Sequence, residues 1–327
     1  MSDDLSRRVD ASLELLGEFL ARGRSLNPVD SRLLTMAHDG VAAFALGGKH
    51  LRSRLVHISA GEVTGERLYA ATVFGACVDL LHGAFLIHDD IIDRDDVRRG
   101  LPTIHAAVRE EFGDAHLGIA VAITAGDLGI NGAIQLLLDS GLDDALVRRG
   151  LGALSAAAQE TITGEILDIS HTVPTTDAAD GTPDPELVRL SNRLKTSEYS
   201  FGTPLKLGAI AAGRDPEPMA GIAHELGCAY QAADDIAGTV GESADTGKQA
   251  AGDVVNGRAT LMTMRMDGDV PADPARLAEI VGDVVAEGEG HLARARTRID
   301  AAGLEPGIRE GLHHITDQIE GMLHAYA

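Results

Sequence analysis

The chain of 327 residues has no tryptophan, only 3% aromatic residues and two cysteines. With so few rings, a core must be built from Ala, Leu, Ile and Val, which suits helix packing better than a sheet sandwich. Cys77 and Cys228, both in apolar surroundings, are too few for a disulfide scaffold or a zinc site. Positive charge is scarce as well. Against 50 Asp and Glu there are 28 Lys and Arg, a formal charge of −22, which argues against nucleic acid or an anionic membrane as a general partner. No run of 18 apolar residues occurs, and MSDDLSRRVD has no signal-peptide character, so a cytoplasmic location without stable membrane insertion is expected. Sustained period-two alternation is missing too, and helical periodicity dominates. The fold class expected is all-α.

What is present centres on His82–Gly100, HGAFLIHDDIIDRDDVRRG. The apolar stretch from Val73 to Ile92 reads as a helix with Asp89, Asp90 and Asp93 near its end. At 3.6 residues per turn, Asp89 and Asp93 share a face, with His82, Phe85 and Leu86 on the same stripe. Two carboxylates roughly 6 Å apart repel by about 3 kcal/mol at an effective dielectric of ~20. On so apolar a helix they need a counter-ion. Oxygen donors without Cys or a His cluster suit Mg²⁺, which bridges a few carboxylates to substrate phosphates. Arg98 and Arg99 just beyond would supply bidentate forks for those phosphates. The competing reading is a plain surface helix end whose acids pair with the arginines.

Upstream, residues 5–22 and 29–46 read as amphipathic helices. GGKHLRSRL then opens a new helix with Lys49 and Arg52 three apart on one face, either an anion site or a solvated basic turn. Downstream, helices are expected over 116–138 and 142–170. The Pro, Thr and Asp-rich stretch 171–186 reads as a loop insertion, not a domain boundary, leaving one domain over 1–327. In LKTSEYSFGTPLKLGA, Gly202 and Pro204 suggest a helix bent or broken near Lys195 and Thr196, with carbonyls freed toward a ligand or simply a Pro-bent core helix. Gln231 and Asp234 share a face in AYQAADDIAG. A Gly-rich segment at about 238–258 follows, holding Lys248, Asp253 and Arg258; its length suggests a lid. Lys248 has no Ser or Thr after it, so this is no Walker A loop. Helices at 275–300 and 305–326 close the chain. Seven of the 28 cations fall inside these motifs, as an acidic phosphate-binding protein would require.

In order and spacing, these residues from Gly47 to Thr260 resemble the trans-type short-chain isoprenyl diphosphate synthases, the farnesyl and geranylgeranyl diphosphate synthase family. GGKHLR is similar to GGKxxRP with Ser53 in place of proline. DDIIDRDDVRRG is similar to a complete first aspartate-rich motif. Lys195-Thr196, Gln231, DDIAG, Lys248 and NGRAT match later motifs. Gly238 stands where the second motif ends in a carboxylate, and Arg258 where lysine is usual.

The resemblance implies an isoprenoid synthase fold of about ten to thirteen helices around a deep cavity, in a homodimer, with the two aspartate motifs facing each other at its mouth. By the same resemblance, Asp89, Asp93 and Asp234, with Asp90 in support, would hold three Mg²⁺ on an allylic diphosphate (dimethylallyl, geranyl or farnesyl). Arg98, Lys195, Lys248 and Arg258 would contact that diphosphate. Lys49, Arg52, His82 and Arg99 would bind isopentenyl diphosphate, and Thr196 and Gln231 would place partial negative charge near the allylic cation. Ala84 and Phe85, five and four residues before the motif, would form the cavity floor. One small and one bulky residue there favour a C20 product, geranylgeranyl diphosphate, over C15. Rival readings are a class I terpene cyclase, which needs no second diphosphate site, a non-catalytic partner subunit, and a His-Asp phosphohydrolase prompted by His57 and His88-Asp89.

Overall fold

The longest helix is the one that carries the first aspartate motif. The computed structural model describes residues 2–26, 29–170, 185–241, 260–266, 270–271 and 273–325. Two compact units divide the chain: Met1–Ala153 with Leu207–Asp215, and Leu154–Lys206 with Pro216–Ala327.

In the first unit, α1 (Ser2–Ser25), α2 (Arg32–Leu46), α3 (Leu51–Ala60), α5 (Ile104–Phe112) and α6 (Ala115–Leu138) accompany α4 (Gly65–Asp93). Helix α4 packs against α1, α2, α3 and α6, so residues 70–81 are buried on every side. Phe74, Leu80 and Ile87 are among its fully buried side chains, each contributing about 1.5–3 kcal/mol. By length and composition α4 and α6 could each cross a membrane, but α4 is mostly buried within the protein. Helix α6 is two-sided. Val121, Ala122, Ala125, Ala133 and Leu137 turn inward, while Ile119, Ile123, Ile134 and Leu138 are exposed.

The all-α expectation holds, with one short strand pair among the described residues. Val97–Arg98 (β1) and Leu101–Pro102 (β2) pair as a minimal antiparallel hairpin. Arg99 and Gly100 form its turn with φ of 54° and 75°, both in the left-handed region that a two-residue type I′ connection needs.

In the second unit, α10 (Glu217–Val240) packs against Arg193–Gly202 and against the closing helices α11 (Pro274–Ala301) and α12 (Pro306–Leu323). Helix α7 (Asp144–Ser170) and α9 (Thr203–Ala211) run across the boundary in sequence, and α8 (Pro185–Asn192) leads into Arg193–Gly202. That last segment is a ten-residue π-helix. The expected break near Lys195 is therefore a widened turn, a form that recurs at functional sites. The loop expected at 171–186 ends earlier, because α8 starts at Pro185; 171–184 lie outside the described residues. Of the lid expected at 238–258, residues 238–240 continue α10 and 242–259 lie outside the described residues.

Candidate active site

In the first unit the helix end and the hairpin form one acidic site. Asp95 N–H bonds to Asp90 O at 2.9 Å and Arg94 N–H to Ile91 O at 3.3 Å, with Arg94 left-handed at φ 59°. This paired closure of a helix C-terminus turns the chain sharply, and the hairpin brings Arg98 back onto the acids. Arg98 Nη2 lies 3.1 Å from Asp89 Oδ2 and 3.8 Å from Asp95 Oδ2, and its Nε donates to Asp90 Oδ1. Asp90 is buried, and its Oδ2 has no partner among the described residues. Burial lifts its pKa to about 7, with Arg98 opposing the shift and Asp89 adding to it. Asp90 is thus the anchor of Arg98, while Asp89 and Asp93 remain partly exposed. The pairing of arginine with these acids is real, and Arg98 makes it with Asp89, Asp90 and Asp95.

Arg99 points elsewhere. A Cβ on Gly48 would lie 2.6 Å from Arg99 Nη2, and one on Gly47 3.0 Å from Nη1, so the guanidinium rests on the glycine pair of GGKHLR. Gly48 also has φ 106°. Both facts require glycine there. His82 is pushed well below its ordinary pKa by burial first, then by Arg52, Arg99 and Arg98. Arg99 is itself lowered by burial, Arg98 and Arg52. Arg52 and Arg99 therefore act on His82 as two nearby cations around a neutral imidazole, and Lys49 is exposed three residues before Arg52. A neutral His82 keeps one N–H to donate.

The two chain-length candidates part company. Ala84 is fully buried, and a Cβ on Gly129 of α6 would come within 2.8 Å of its Cβ. It fills the α4–α6 seam. Phe85 is partly exposed, on the stripe of Asp89.

In the second unit Lys195 is clamped by two acids, Glu165 Oε2 at 2.8 Å and Asp168 Oδ2 at 2.9 Å. Thr196 Oγ1 donates to Gln231 Oε1 at 2.5 Å, and Gln231 Nε2 donates to Asp235 Oδ1 at 2.5 Å. Asp235 is buried and also accepts Leu261 N–H at 2.7 Å. Asp234 is exposed, and Gly238 follows it one turn later in the same helix. Lys248 and Arg258 lie outside the described residues.

Three acids escaped the sequence reading. Glu165 and Asp168 sit in GEILDI, whose i, i+3 spacing was a visible signal. Asp79 lies three residues before His82 on the acidic stripe.

Among the described residues no three His, Cys, Asp or Glu side chains come close enough to hold a metal by themselves. The oxygen-only pair Asp89 and Asp93 fits Mg²⁺ of the kind that completes its shell with phosphate oxygens and water.

A family model described as polyprenyl synthetase matches residues 36–297. The chain belongs to that family. The chain is 31% identical over 229 residues to a geranylgeranyl diphosphate synthase of Sulfolobus acidocaldarius, covering 68% of this chain and 64% of that one. It is also 31% identical over 227 residues to a geranylfarnesyl diphosphate synthase of Aeropyrum pernix, covering 67% and 66%. The matched stretch thus spans just under two thirds of the length of these two relatives. A geranylgeranyl pyrophosphate synthase from Corynebacterium glutamicum, solved with isoprenyl diphosphate and magnesium, superposes with a TM-score of 0.82. There the identity is 26%, over 97% of this chain and 99% of that one. The all-α isoprenoid synthase fold follows.

Proposed function

We propose that this polyprenyl synthetase is a Mg²⁺-dependent prenyltransferase that joins isopentenyl diphosphate head-to-tail to an allylic diphosphate, giving geranylgeranyl diphosphate. The observation that carries this reading is a pair of unlike anion-reading sets, one drawn from α3, α4 and the hairpin turn and the other at the end of α4. Arg52 and Arg99 are cations beside a neutral His82 that can donate an N–H. Asp89 and Asp93 need a metal to meet a phosphate. A terpene cyclase uses only the second kind, and a partner subunit has no use for an intact first motif.

The residues then take these roles. Asp89, Asp93 and Asp234 would hold up to three Mg²⁺, which neutralise charge on the departing diphosphate. Arg98, Lys195, Lys248 and Arg258 contact that diphosphate. Until it arrives, Arg98 neutralises Asp89 and Asp90, and Glu165 and Asp168 hold Lys195. Lys49, Arg52, His82 and Arg99 hold isopentenyl diphosphate. The allylic C–O bond breaks, and the double-bond electrons of isopentenyl diphosphate form the new C–C bond. The released diphosphate takes the proton that is lost. Asp235 orients the Gln231 amide so that its carbonyl faces Thr196, keeping partial negative charge at a fixed place for the allylic cation. Phe85 sets the floor, and residues 1–327 act as one synthase domain.

The exposed apolar face of α6, with Ile119, Ile123, Ile134 and Leu138, is read as covered by a second copy of the chain, making a homodimer. Light scattering of wild type and Ile123→Glu tests that: a dimer that becomes a monomer supports it, and a monomeric wild type overturns it. The activity is tested by incubating purified protein with labelled isopentenyl diphosphate and each allylic primer, with and without chelator. C20 product that vanishes with the chelator is expected. Cyclised hydrocarbon, or turnover without isopentenyl diphosphate, would refute the assignment.

A further inference from the structure

Asp79 is 3% exposed on α4 and has no part in the roles above. Its Oδ2 accepts two bonds from the segment that carries the predicted isopentenyl diphosphate cations. Ser53 Oγ–H donates at 2.7 Å, and His50 Nδ1 lies at 3.0 Å. Lys49 immediately precedes His50, and Arg52 lies between His50 and Ser53. His50 caps α3 in the left-handed region, φ 49°, without a side-chain capping bond. That conformation is strained for a residue with a Cβ and persists only where its surroundings hold it. The bond to Asp79 is such a hold. Ser53 Oγ also lies 3.1 Å from His50 O, so one hydroxyl ties the turn to itself and to α4. A single buried carboxylate therefore pins both sides of Arg52 to the helix that presents His82.

We propose that Asp79 is a positioning residue for the isopentenyl diphosphate subsite, fixing the turn from Gly47 to Ser53 through His50 and Ser53 so that Lys49 and Arg52 converge with His82 and Arg99. This rests on the substrate reading above. Asparagine keeps the size of Asp79 but carries no charge and replaces one acceptor oxygen by a donor NH₂.

The test measures isopentenyl diphosphate binding by calorimetry and steady-state kinetics on the full chain. Asp79→Asn should raise Kd and KM for isopentenyl diphosphate about tenfold or more, as expected for lost bonds to a charged group. KM for the allylic primer should stay within about twofold of wild type. His50→Ala should act in the same direction. His50→Asn should restore binding, because asparagine tolerates the left-handed region and keeps a donor. Unchanged isopentenyl diphosphate affinity in Asp79→Asn, or equal rises for both substrates, would overturn the proposal. If Asp79→Asn does not fold, Ser53→Ala and the two His50 variants decide by the same criterion. A wild type that neither binds nor consumes isopentenyl diphosphate would overturn the substrate reading instead.

Discussion

Replacing Ala84 by phenylalanine separates a cavity floor from a helix seam. If Ala84 faced the growing chain, a ring there would shorten the product toward C15 and leave the fold alone. In the structure Ala84 is fully buried, and a Cβ on Gly129 would sit only 2.8 Å from its own. The ring would have to enter the packed seam between α4 and α6. Such overpacking costs about 1–3 kcal/mol, occasionally more. At about 2.1 cal/mol/K per residue, a chain of 327 residues loses about 1.5 °C of Tm per kcal/mol, so a cost near 2 kcal/mol means a fall of roughly 3 °C. Phe85→Ala is the counterpart. Partly exposed on the stripe of Asp89, it should lengthen the product with a smaller loss of stability. The assay is a thermal melt of wild type and both variants beside chromatography of the products. An Ala84→Phe protein that melts with wild type and makes C15 would refute this placement.

Four further outcomes are expected. Asp89→Ala and Asp93→Ala should cut Mg²⁺-dependent turnover by orders of magnitude with helicity intact by circular dichroism. Asp90→Ala should also lower stability, by about 1.5–3 kcal/mol in denaturant titration, because Arg98 loses one charged bond while Asp89 and Asp95 still face it. Arg99→Ala should raise KM for isopentenyl diphosphate about ten- to a hundredfold, whereas Arg98→Ala should act on the allylic substrate and on Tm together. His57 is buried, with Arg8 nearby, and its pKa is lowered to about 4. Between pH 4 and 6.5 the unfolded chain therefore binds a proton that the folded one does not, and stability rises with pH across that window. The rise is worth up to about 3 kcal/mol at 1.36 kcal/mol per unit, and His57→Leu should flatten it in urea titrations at stepped pH.

Helices were legible because their apolar residues recur at helical spacing, and the first aspartate motif was legible because Asp89 and Asp93 share a face whatever packs around them. The hairpin was not. Four paired residues are too few to display a period, and Arg99 adopts a positive φ without being glycine. Long-range partners were hidden for a different reason: Lys195 meets Glu165 and Asp168, and His50 meets Asp79, across 27 to 30 residues. Such pairings depend on helix register that a local pattern does not encode. Ala84 shows a related limit. At about 100° per residue, five positions before Asp89 lies roughly 140° around the helix, off the stripe that Phe85 shares, and its packing against α6 was not legible from spacing.

Both aspartate doublets are built alike. Asp90 is locked to Arg98 and Asp235 to Gln231 and Leu261, while their neighbours Asp89 and Asp234 stay more open. Two identical letters side by side thus carry unequal freedoms. The inner acid behaves as masonry, intolerant of any change in length. The outer one behaves as a tool on a fixed handle, nearer to solvent yet still held, as Asp89 is by Arg98.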